Sequence, residues 1–75
     1  MMQVGMLWLD DDKKRHLDEK VRRAVAYYEQ KYGRLPELCL VNAQEITDEK
    51  KIDKVMVKPA RAVLRHHFWL GMQAE

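Results

Sequence analysis

Cysteine is nearly absent from this 75-residue sequence; Cys39 stands alone. A disulfide within the chain is thereby excluded, and with it the usual staple of small extracellular domains. Cys39 sits in the apolar run Leu38-Cys39-Leu40-Val41, where a buried, inert thiol is expected, and a reducing cytoplasmic setting suits it. Glycine is scarce too. Gly5, Gly33 and Gly71 are isolated from one another, so no Gly-rich phosphate loop and no nucleophile elbow can be assembled. Zinc-ligand spacing is missing as well. No apolar run approaches the roughly 18 residues of a membrane span, and no basic-then-apolar leader pattern opens the chain. Repeats, low-complexity segments and linkers are lacking, and residues 1–75 read as one small domain. Such a domain buries only about 60–65% of the surface its unfolded chain exposes. With disulfides excluded, oligomerisation is the simplest remaining stabiliser.

What is present is apolar strand and one long helix. From Lys14 to Tyr32 the stripe Leu17, Val21, Ala24, Val25, Tyr28 and Tyr32 follows the 3.6-residue period of a helix with one buried face. Asp18 to Arg22 and Glu19 to Arg23 have i,i+4 spacing with the acid first. Gly33 is placed as a left-handed C-terminal cap, and Pro36 prevents continuation. Strands are expected at Gln3 to Leu9, Leu38 to Val41, Val55 to Val57 (stopped by Pro59) and Phe68 to Met72. A short helical turn is expected near Thr47 to Lys51. Ala60 to His67 fits either a helix or a lead into the last strand. Strand–helix–strand at the start reads as a right-handed crossover that makes the first two strands parallel. The expected architecture is α+β: a two-layer βαβββ sandwich, one long helix on a mixed sheet of three or four strands.

The strands are apolar at nearly every position. A sheet with one face under a helix and the other in water should alternate instead. One helix cannot cover both faces, so a second apolar face is left without a partner. Burying roughly 400–600 Å² of it would contribute of order 10 kcal/mol before association entropy is subtracted. Met6, Trp8 and Trp69 are the residues expected at that interface, because Trp and Met are favoured there. The competing arrangement folds Ala60 to His67 over the second face and gives a self-contained monomer.

Charge is balanced overall at +2 but unevenly spread. Lys13 to Arg34 holds eight Lys or Arg against three acids, while Glu37 to Lys54 holds five acids against three lysines. Lys14, Arg15, Arg22, Arg23, Arg61 and Arg65 are candidates for binding nucleic-acid phosphates. Interleaved acids on the helix favour a solvated face instead. Asp10, Asp11 and Asp12 close the first strand, where clustered carboxylates suit a hard cation such as Mg²⁺. Capping of the following helix explains the same residues without a metal. His66 and His67 are adjacent, so on a strand their rings diverge and cannot chelate one ion.

The stretch from Met6 to Gly33, with Leu35-Pro36-Glu37-Leu38-Cys39-Leu40-Val41 and the ending His66-His67-Phe68-Trp69-Leu70-Gly71, resembles small uncharacterised proteins of thermophilic prokaryotes. That resemblance implies no activity, cofactor or site residue. The residues themselves point to a cytoplasmic interaction module that forms a homodimer through its open sheet face. No catalysis and no cofactor are expected. A nucleic-acid-binding protein using the basic helix face is the alternative, and a metal-dependent enzyme built on Asp10 to Asp12 is a more distant one.

Overall fold

Among the described residues, five strands form one mixed sheet with a single helix across one face. The computed structural model describes residues 5–72. In chain order the elements are β1 (Gly5–Leu9), α1 (Leu17–Tyr32), β2 (Leu38–Asn42), β3 (Lys50–Ile52), β4 (Val55–Ala60) and β5 (His67–Gly71). Gln3 and Val4, expected in the first strand, lie outside the described residues. The spatial order is β1-β5-β2-β4-β3. β5 runs antiparallel to both β1 and β2, and β2 and β4 are parallel. The first two strands therefore point the same way, as expected, but β5 is inserted between them. The sheet has five strands, one or two more than expected.

Helix α1 follows the expected stripe as far as Tyr28. Val21, Ala24 and Tyr28 are buried, Leu17 and Val25 pack at the margin, and Tyr32 is exposed. Gly33 ends the helix at φ 76° and donates its amide to Glu29 O, the left-handed cap that glycine adopts without a Cβ penalty. The start differs from expectation. His16 occupies the N-cap with no side-chain bond to the first turn. The aspartates cap the preceding turn instead, where the Asp12 amide donates to Asp10 and the Lys14 amide donates to Asp12. The expected i,i+4 pairs also give way to others: Glu19 meets Arg15 at 4.0 Å, and Asp18 and Arg22 turn to the sheet side. Lys50 of β3 reaches Asp18, and Arg22 reaches Asp53.

Under the helix lie Met6, Cys39, Val41, Ile52, Val55, Val57, Phe68 and Leu70. Fully burying a side chain such as Phe68 or Leu70 stabilises by about 1.5–3 kcal/mol. These residues share one face because strand side chains alternate and the register aligns them: Met6 opposite Leu70, Cys39 opposite Leu70 and Val57, Val41 opposite Phe68. Cys39 is fully buried, and burial pushes its thiol up to about 12. It is inert at neutral pH.

Two further expectations are corrected. The segment expected as a helical turn at Thr47 to Lys51 instead enters β3, which hairpins onto β4 through Asp53 and Lys54, with Asp53 at φ 55°. An Asp tolerates that left-handed turn position. Pro59 does not stop β4 but lies inside it, opposite Val41. The Met56 amide donates to Glu37 O on the β2 side. Alternation then turns the nitrogens of Val57 and Pro59 to the other side, where β3 ends opposite Val57. Proline is tolerated where no ladder bond is required of it.

Candidate interaction surface

The alternation that places Met6, Phe68 and Leu70 under the helix directs the intervening residues to the opposite face. Leu7 lies opposite Trp69, and Trp69 opposite Leu40. Leu40 in turn pairs with Lys58. A second row runs Gly5, Gly71, Leu38, Met56. No described element lies across these rows. Leu7 is 63% exposed and Leu9 58%, while Leu38, Leu40 and Trp69 are half-buried by their own neighbours.

Trp69 gives this face its shape. Its indole lies against the two glycines of the second row. A Cβ on Gly5 would stand 2.3 Å from Trp69 Cζ2, and one on Gly71 would stand 2.5 Å from Cη2. A Cβ at either position would force the indole to shift, which gives two of the three glycines a packing role. Beside the ring opens a groove of about 530 Å³, floored by Leu38, Leu40 and Trp69 and walled by Val63 and Leu64.

The wall belongs to the segment between β4 and β5, whose conformation the sequence left open. It is a turn, neither helix nor strand. Val63 is buried, whereas Leu64 is 69% exposed. The Asn42 side-chain amide donates to Val63 O, and the His66 amide donates to the Glu45 carboxylate. His66 O accepts from the Asp10 amide. These bonds hold His66 at φ 68°, a backbone region that a residue with a Cβ rarely adopts. The turn is thereby pinned at the rim of the face and does not fold over it.

Of the residues expected at the interface, Trp69 is on the open face and Met6 and Trp8 are not. Met6 is buried beneath the helix, and Trp8 packs against Tyr27 of α1 with ring centroids 4.8 Å apart and the rings tilted by 41°. The physical reason is parity: β1 is apolar on both sides, and the register with β5 gives its even positions to the helix. Leu7, Leu9, Leu40 and Leu64 take the places assigned to Met6 and Trp8. The signal for Leu7, Leu9 and Leu40 was present in the sequence as the odd positions of β1 and the even positions of β2, whereas Leu64 comes from the turn after β4.

The aspartate cluster resolves into a fold-stabilising turn. Asp10 is 7% exposed and both of its carboxylate oxygens accept from Arg15 Nη1, at 3.1 and 3.0 Å. Asp12 meets Arg15 Nη2 at 3.3 Å. Burial works to raise the Asp10 pKa, but the Asp12 amide, Arg15 and Lys20 outweigh it, and the net displacement is below the ordinary carboxylate value. Asp11 remains apart from this pairing. Two of the three carboxylates converge on a guanidinium, and among the described residues no group of three or more His, Cys, Asp or Glu side chains is placed to hold a cation.

The basic residues are dispersed. Arg15 is held by Asp10 and Asp12, and Arg22 by Asp53. Lys14 lies in the turn before α1, Arg23 is on the solvent side of the helix, and Arg61 and Arg65 lie in the turn after β4. They do not lie along one element. No helix among the described residues is long and apolar enough to cross a membrane. Comparison with protein-family models, with curated proteins and with solved structures gave no match.

Proposed function

We propose that this chain is an interaction module that associates with a second copy of itself through the open sheet face. The observation that carries the reading is the row Leu7, Trp69, Leu40 with exposed Leu64 beside it, on a sheet face that no described element covers. Four strands about 4.8 Å apart and three same-face positions about 6.7 Å apart give a planar footprint of roughly 400 Å² per copy. Two copies bring about 800 Å² together, and projecting side chains raise the buried surface towards the roughly 1,200 Å² at which stable interfaces begin. An apolar groove against apolar leucines also needs no partner of opposite charge, and Lys58 and His67 at its margins suit a polar rim. The lone buried thiol fits a reducing cytoplasm, where we place the molecule.

The test is solution mass by light scattering after gel filtration, at low and high salt. A dimer that persists at high salt is the expected result. Leu64→Lys puts a charge on a strongly exposed side chain of the rim without touching the core. It should weaken the dimer at least tenfold while leaving far-ultraviolet circular dichroism unchanged. A monomer at high protein concentration, or a dimer indifferent to Leu64→Lys and Leu40→Lys together, would overturn the reading.

A further inference from the structure

The two edges of the sheet differ chemically. β3, at one edge, is three residues long and carries Lys50 and Lys51. Short, lysine-bearing edge strands resist pairing with another chain. β1, at the other edge, reads Gly-Met-Leu-Trp-Leu and has no charge and no proline.

The direction of its free backbone groups follows from the register. The Asp10 amide donates to His66 O across the β1–β5 ladder. In an antiparallel pair, residues that bond across alternate with residues that do not. With Trp8 opposite Phe68 and Met6 opposite Leu70, the even residues spend their amides and carbonyls on β5. Gly5, Leu7 and Leu9 turn theirs to the outer edge. Among the described residues no other backbone group bonds to them there.

We infer that β1 joins a second copy of the chain edge to edge, antiparallel and two-fold symmetric about Leu7, extending the sheet from one molecule into the next. The partner is a second copy because the edge is complementary to itself. Gly5 falls opposite the second copy's Leu9, Leu7 opposite its Leu7, and Leu9 opposite its Gly5. Each of the three pairs makes two backbone hydrogen bonds. The exposed side chains of Leu7 and Leu9 then meet uncharged neighbours, and no like charges are opposed. On the helix side Trp8 comes opposite the second copy's Met6, a sulfur–aromatic pairing. The inference rests on the self-association reading for its partner, and adds a second contact distinct from the open face, since two copies stacked face to face do not share a sheet.

Amide hydrogen exchange on the full chain, read residue by residue at associating concentration, tests it. Gly5, Leu7 and Leu9 should be protected at least a hundredfold over free-chain rates, with Met6 and Trp8 as internal references protected by β5 in any case. Leu7→Lys opposes two like charges at the symmetry centre and should abolish protection at Gly5 and Leu9. Leu64→Lys, on the groove wall and off the β1 edge, should leave protection at all three positions. A dimer in which Gly5, Leu7 and Leu9 exchange at free-chain rates would overturn the edge pairing and leave the open-face association standing. A monomer under all conditions would overturn both.

Discussion

Asp10 shows how a single side chain can satisfy a turn, an ion pair and the end of a strand together. Its amide continues the ladder to His66, and its carboxylate receives the Asp12 amide and the Arg15 guanidinium. Because its folded pKa lies below its ordinary value, the folded state binds fewer protons than the unfolded chain in acid. Stability from this group is therefore complete above the unfolded value of 3.8 and is lost as pH falls through the lower folded value. Asp10→Asn should cost about 1–3 kcal/mol at pH 7, as expected for losing hydrogen bonds to a charged group. It should also flatten the loss of stability below about pH 4. Urea unfolding at pH 7 and at pH 3 checks both parts, and an unchanged acid limb would remove Asp10 from the account. The role was half legible in sequence. Asp residues after a strand announce a cap, but whether they cap the helix or the turn before it depends on where Arg15 folds back.

At the scale of elements, periodicity was informative where one face only is buried. The stripe from Leu17 to Tyr28 needed no tertiary knowledge, and neither did Gly33. The strands were harder because both of their faces are apolar. Which face of β1 meets the helix is settled by its register with β5, and β5 lies more than fifty residues away in sequence. Tryptophan identity therefore misdirected the choice of Trp8, whereas the exposed leucines carry the face. Pro59 misled for a related reason, since a strand position without a ladder bond is created by the length of β3. The glycine floor under Trp69 gives a prediction at this scale. Gly71→Ala places a methyl where the indole lies and should destabilise by about 1–3 kcal/mol through overpacking. The near-ultraviolet circular dichroism of the indole should change with it. Native stability with an unchanged signal would mean that the ring does not rest on Gly71.

At the scale of the whole molecule, the helix covers one side of the sheet and the rim turn stops short of the other. A chain this small has little stability to spare, and association raises the apparent stability of whatever associates. The midpoint of thermal unfolding should therefore rise by several degrees over a hundredfold increase in protein concentration. The same series with Leu64→Lys should rise less steeply, because only the edge contact is left to associate. A concentration-independent midpoint for the parent chain would make it a self-sufficient monomer.

The unlike edges of the sheet bear on how far assembly can go. A strand with free backbone groups at both margins can recruit neighbours without end, which is how fibres grow. Here the lysines of β3 leave only one margin receptive, so each molecule has an edge valence of one. An edge-joined pair consumes both receptive margins and presents lysine-bearing strands at its two ends. Growth along the sheet terminates at two, and the charge on Lys50 and Lys51 acts as a chain terminator.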